Sequence, residues 1–156
     1  MVNVMKSNET LLYSSLLKRI CSPYIFNWDV SLISHELKYI GKTYYEGFEI
    51  YQHLNKTIQC KLGFKVNKVE MICSNYYLIG VSFFLEETID LIEDLKDTLA
   101  AYLNKEADLT GNTMLGSIGN IIYSWEDKDC VVGILSCTND NGLFIHCIVN
   151  EFRFMW

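Results

Sequence analysis

The chain has 156 residues, half of them apolar, and a net charge of −6 at pH 7. That length suits one domain, able to bury roughly 68–70% of the surface its unfolded chain exposes, and the apolar content excludes a disordered chain. Only Arg19 and Arg153 are arginines among the 13 basic residues, which weighs against a nucleic-acid binder, since arginine is the favoured side chain for phosphate and base-edge contacts.

Pro23 is the single proline, and no linker or low-complexity tract interrupts the chain, so residues 1–156 read as one domain. The opening residues lack the basic flank and apolar stretch of a secretory signal. The longest apolar run, around Tyr76 to Leu85, is about half a membrane span. A cytoplasmic protein without a membrane segment is expected. The cysteines are Cys21, Cys60, Cys73, Cys130, Cys137 and Cys147; no pair has CxxC spacing, so they read as reduced, small apolar side chains. Neither they nor His35, His53 and His146 form close ligand pairs, so no metal and no cofactor is expected.

In chain order, Ser7 or Asn8 can cap a first helix with Leu12, Tyr13, Leu16, Leu17 and Ile20 as its apolar stripe, ending at Pro23. Asp29 caps a second, with Leu32, Ile33, Leu37 and Ile40 as stripe and Gly41 as stop. The period then changes to two. Phe48, Ile50, Gln52 and Leu54 alternate with Glu49, Tyr51 and His53; after Asn55-Lys56, Ile58, Cys60, Leu62 and Phe64 alternate likewise, which predicts a hairpin. Val69 to Cys73 and Tyr76 to Leu85 predict another strand pair turning at Ser74-Asn75, the second apolar enough for a sheet centre. Glu86 opens the longest predicted helix, whose buried face is Thr88, Leu91, Ile92, Leu95, Leu99, Tyr102 and Leu103. Ala107 to Gly119 reads as a Gly/Asn-rich loop. Three strands close the chain, at Asn120 to Trp125, Cys130 to Cys137 and Leu143 to Asn150. The order predicts an α+β domain: antiparallel sheet, two N-terminal helices, and one long helix between strand groups. No internal repeat is evident.

Five constellations bear on chemistry. Gly111 to Gly116 has the glycine spacing of a phosphate-binding loop, but Ser117 and Ile118 stand where lysine and a hydroxyl are required. His53 and His146 sit on predicted strands, His35 on a helix flank, and no nucleophile lies in a strand–turn–helix elbow, so no catalytic residues are assigned and no enzyme is expected. The acids of the long helix are too solvated for acid–base work at neutral pH. Those acids are the main charge feature: Glu86 to Asp108 holds eight against Lys96 and Lys105, and so carries the whole net charge of −6. Within it Asp90 with Asp94 and Glu93 with Asp97 are like-charged i, i+4 pairs, each costing roughly 0.2–0.5 kcal/mol in an isolated helix. Such a face can be a solubilising surface or can steer a basic partner. Last, Lys42, Lys56, Lys61, Lys65 and Lys68 accompany Tyr44, Tyr45, Tyr51 and Phe64; this pattern is either edge lysines with core aromatics or a grip for single-stranded nucleic acid.

The chain's size, the acidic helix Glu86 to Asp97, the acidic hairpin tip Glu126-Asp127-Asp129 and the Trp125-anchored terminal hairpins together resemble the immunity proteins of bacterial toxin–immunity systems, such as those of contact-dependent growth inhibition. The resemblance is one of pattern over the whole chain, without a signature motif. It implies a small acidic α+β domain of the cytosol that binds and blocks a cognate basic protein toxin, such as a nuclease. The implied contact residues are Glu86, Asp90, Glu93, Asp94 and Asp97, then Glu126, Asp127 and Asp129. The sheet–helix–sheet order is also similar to the Whirly-type nucleic-acid-binding fold. That family's Lys-Gly-Lys type motif is missing; the nearest segment is Lys61-Leu62-Gly63-Phe64-Lys65. The alternative function is thus a nucleic-acid-binding module using the Lys/Tyr surface.

Overall fold

A computed structural model describes residues 35–43, 47–54, 64–74, 77–115, 119–126, 130–136 and 142–149. The described residues form eight strands and one α-helix. In chain order these are β1 (Leu37–Lys42), β2 (Glu49–His53), β3 (Val66–Ser74) and β4 (Tyr77–Thr88). A 3₁₀ turn (Ile89–Leu91) and helix α1 (Ile92–Leu103) follow. The chain then continues as β5 (Leu109–Leu115), β6 (Gly119–Glu126), β7 (Cys130–Ser136) and β8 (Gly142–Val149). The eight strands make one sheet in the order β1-β2-β3-β4-β8-β7-β6-β5, and every neighbouring pair is antiparallel.

That order is two consecutive four-stranded meanders joined through their last strands. Exchanging the halves maps β4 onto β8, β3 onto β7, β2 onto β6 and β1 onto β5. The register makes the equivalence specific. Starting from the facing pair Ser82 and His146, the cross-strand partners run through Glu70 to Gln52 on one side and through Gly133 to Ser124 on the other. Gln52 and Ser124 are therefore equivalent, as are Tyr51 with Tyr123 and Ile50 with Ile121, the register shift between Ile121 and Tyr123 passing over Ile122. The pairing thus has an approximate two-fold arrangement about the Ser82–His146 pair.

β4 is central, as its apolar run predicts, and pairs with β3 over Val66 to Ser74 and with β8 over Gly142 to Ile148. Leu78, Ile79, Val81 and Phe83 are fully buried there. β8 and β7 are equally apolar: Val132, Ile134, Leu135, Ile145, Cys147 and Ile148 are all buried. Each such side chain contributes about 1.5–3 kcal/mol relative to exposure.

Four expectations change. The helix that Glu86 was expected to open starts at Ile92, because β4 continues through Thr88. Pairing on both sides of β4, with Leu85 opposite Val66 and Thr88 opposite Gly142, gives the backbone more hydrogen bonds than a helix start would. The second N-terminal helix was expected to run to Gly41, yet Leu37–Lys42 is a strand. β2 offers it an edge, and a bulge between Tyr39 and Gly41 accommodates the glycine, which adopts φ 156°. The first part of that helix, and the whole of the first helix, lie outside the described residues. The Gly/Asn-rich stretch expected as a loop holds β5, paired with the free edge of β6; a register shift between Thr110 and Thr113 takes up Gly111-Asn112. Finally, both edges of β2 are occupied, by β1 and β3. The hairpin expected between β2 and 57–64 is therefore not the one β2 makes; 55–63 lie outside the described residues.

α1 follows from its own sequence. Leu95, Leu99 and Leu103 recur every fourth residue and are buried in the sheet's core cluster. Ile92 is half-buried, whereas Leu91 and Tyr102, both expected inside, are exposed. Glu93 and Asp94 favour the positive N-terminal end. The helix stops at Asn104, in the left-handed conformation at φ 55°. There the Asn104 and Lys105 amides donate to the Ala101 and Ala100 carbonyls at 3.3 and 3.1 Å.

Candidate functional site

α1 is fixed to β6 by three side chains. Trp125, fully buried, donates its indole N–H to the Lys105 carbonyl at 2.9 Å. Tyr123 donates its hydroxyl to the Glu93 carboxylate. Lys105 Nζ donates to the Glu126 carbonyl and meets Asp108 at 2.8 Å. Asp108 in turn accepts the Glu126 amide at 2.7 Å. Trp125 was legible in the sequence as an anchor; Tyr123 and Lys105 were not, because their roles depend on a helix and a strand meeting.

This docking decides how the acidic residues are presented. They do not form one helical stripe. Glu86 is at the end of β4, where its amide donates to the Lys65 carbonyl and its carboxylate meets Lys65 Nζ at 3.2 Å. Asp90 is in the 3₁₀ turn and exposed. Glu93, Asp94 and Asp97 are on α1, all exposed. Lys96 lies between two of them, 3.0 Å from Glu93 and 3.3 Å from Asp97, so the like-charged i, i+4 pair is bridged rather than repulsive. The Tyr123 hydroxyl, with Lys96, holds the Glu93 carboxyl below its ordinary range, and the same bond pushes the Tyr123 phenol up. Burial pushes Asp108 upward, but Lys105 and the Glu126 amide outweigh it and hold it low. Glu126 closes β6 beside the C-terminal end of α1 and is partly buried. Asp127 and Asp129 lie outside the described residues.

The expected contact residues therefore split. Glu93, Asp94, Asp97 and Glu126 are gathered where α1 lies along β6, with Asp90 one turn upstream, and Glu86 is set apart in an ion pair with Lys65. A shallow cleft of about 420 Å³ opens at the end of α1 between Asp97, Ala100, Ala101, Asn104, Lys105 and Glu106. Lys96, between Glu93 and Asp97, and Lys105, at Asp108, each offset part of the negative charge locally.

The Lys/Tyr surface divides further. Lys68 faces the same side of the sheet as Phe84, its cross-strand partner, with Nζ 4.2 Å from that ring and 2.9 Å from Glu70. Tyr51 pairs with Met71, on the opposite side, and packs edge-on against Tyr39 at 5.7 Å. Lys65 is committed to Glu86. Phe64 is half-buried against the core and Lys42 is exposed at the sheet edge. Lys56, Lys61, Tyr44 and Tyr45 lie outside the described residues.

Two histidines are buried. His53 is 3.7 Å from Glu36, and burial lowers its pKa against the opposing pull of that carboxylate. His146 sits mid-sheet with Nδ1 2.6 Å from the Ser82 hydroxyl, and burial lowers its pKa to about 4. Both flanking rows on this face are largely apolar: Phe84, Phe144, Leu135 and Ile121 on one side, Ile72, Gly80, Ile148 and Val131 on the other. Phe84 and Phe144 stack at 5.0 Å, and Phe144 meets the His146 ring edge-on. A serine–histidine pair at this distance has the geometry of a nucleophile with its base. At 6% and 1% exposure, however, it is a core hydrogen bond out of reach of substrate.

Among the described residues no cluster of three or more His, Cys, Asp or Glu has the arrangement of a metal site, and no helix is long and apolar enough to cross a membrane. Compared with known proteins, the chain matches no family model, no curated protein and no solved structure.

Proposed function

We propose that this protein is an immunity-type inhibitor, which binds a basic protein toxin, such as a nuclease, through the acidic ridge of α1 and the adjoining end of β6. The observation that carries the reading is the placement of exposed Asp90 in the 3₁₀ turn and of exposed Glu93, Asp94 and Asp97 on α1, which follows it directly, with Glu126 beside the far end of the helix. Carboxylates in that position accelerate encounter with a basic surface and contribute less to the final affinity. Lys96 and Tyr123 hold Glu93 in place, which lowers the entropy lost when a partner engages it. In this reading the protein acts by covering the toxin's active site and performs no chemistry itself. The Whirly-like relationship is part of the same proposal at the level of architecture: two four-stranded meanders with a helix between them support it.

The test begins with the tagged protein as bait in its source lysate at low and high salt. A stoichiometric basic protein retained at low salt supports the reading. Charge reversal to lysine at Asp90, Glu93, Asp94 and Asp97 together is then expected to slow association with that protein at least about tenfold and to flatten its salt dependence. Unchanged association kinetics and unchanged salt dependence would remove the ridge from the interface.

A further inference from the structure

Strand β1 ends the sheet order among the described residues, so no described strand pairs its outer row of backbone N–H and C=O groups. Such a row is a template for one more strand. Its side chains are unusually open. Tyr39 is 52% and Ile40 43% exposed, and Leu54, whose backbone N–H donates a hydrogen bond to the Glu36 carbonyl at 2.8 Å and so lies beside the start of β1, is 49% exposed. These are three of the five large apolar side chains exposed among the described residues, so the exposure is concentrated at one corner. The strand, Leu-Lys-Tyr-Ile-Gly-Lys, carries two lysines and no acid, and both Lys38 and Lys42 are exposed.

These features specify an occupant. A backbone edge that no described strand pairs suits an extended segment. Tyr39 and Ile40 reward apolar side chains on it, and Lys38 and Lys42 reward acidic ones while repelling a basic strand, including β1 of a second copy. We propose that β1 is an acceptor edge to which an extended, acidic segment of a partner protein adds as a further strand. Main-chain hydrogen bonds supply the affinity and the lysines select the charge. The edge lies six strand spacings, about 29 Å, from β6 and its acidic ridge. It has the opposite charge preference, so it stands or falls independently of the inhibitor reading.

The probe is a fluorescein-labelled nonapeptide of alternating glutamate and valine, titrated by anisotropy against the full chain. Its controls are the lysine–valine counterpart and a version N-methylated at alternate amides. The acidic peptide is expected to bind, to slow amide exchange of β1 residues at least about fivefold, and to weaken about tenfold against the Lys38→Glu/Lys42→Glu double variant. The N-methylated peptide is expected to lose binding. Any of four results overturns the proposal: no preference for the acidic peptide, equal binding of the N-methylated one, exchange protection elsewhere than β1, or a dimer in sedimentation whose interface protects β1.

Discussion

Acidification to pH 5 should destabilise this protein through His146, at the centre of the sheet. The imidazole is fully buried, bonded to Ser82 at 2.6 Å, and burial lowers its pKa to about 4 from the ordinary 6.5. The native state therefore binds fewer protons than the unfolded chain between those values. The contribution is fully present above pH 6.5, falls as pH drops, and is exhausted below about pH 4. The full difference is about 3 kcal/mol, and the loss between pH 7.5 and 5.0 is about 2 kcal/mol. His53 acts in the same direction, since burial lowers its pKa as well. Glu93 and Asp108 are held below the ordinary carboxylate range and lose their contributions only under pH 5. Urea unfolding at the two pH values, on the native sequence and on His146→Gln, isolates the effect, because all other groups cancel in the difference. Glutamine keeps a polar partner for Ser82 and cannot titrate. The native chain should lose about 2 kcal/mol more than the variant over that interval. Equal losses would show that His146 is not buried as a neutral imidazole, and would refute the account of the sheet centre.

Trp125→Phe removes the indole N–H from the Lys105 carbonyl and leaves a small void under α1, and should cost about 2 kcal/mol in chemical denaturation. Gly80→Ala would place a Cβ 3.2 Å from the Cys147 backbone oxygen across the β4·β8 pair, where neither central strand can easily yield, and should lower stability by about 1–2 kcal/mol. Cys73, Cys130 and Cys147 are buried, and burial, with the Glu49 carboxylate, pushes the Cys73 thiol up. Site-resolved mass spectrometry should show them reacting with a maleimide about 100-fold more slowly in the native state than in urea. Because Lys68 and Tyr51 face opposite sides of the sheet, RNA and single-stranded DNA should keep their mobility with this protein at low salt; a shift abolished by salt would restore the nucleic-acid reading.

The sequence by itself determined the elements whose pattern is local and strong. Alternation at Glu49–His53, the apolar run ending in Leu85 and the three C-terminal strands all carry their own period, and Leu95, Leu99 and Leu103 define a helix face without reference to anything else. It also located the acidic residues in the chain. Only the tertiary structure decided where α1 begins, because the competition at Glu86 to Thr88 is between a helix start and pairing with β3 and β8, strands distant in sequence. The same holds for Leu37–Lys42 and Leu109–Leu115: each has a weak or contrary pattern and becomes a strand because a neighbour offers an unpaired edge. The acidic surface was likewise half legible. Composition counts charges, but whether Glu86, Glu93 and Asp97 present them depends on Lys65 and Lys96, and Glu93 also on Tyr123 from β6. Ion pairs and hydrogen bonds of that kind are set by the fold, so the charge a partner meets is a tertiary property.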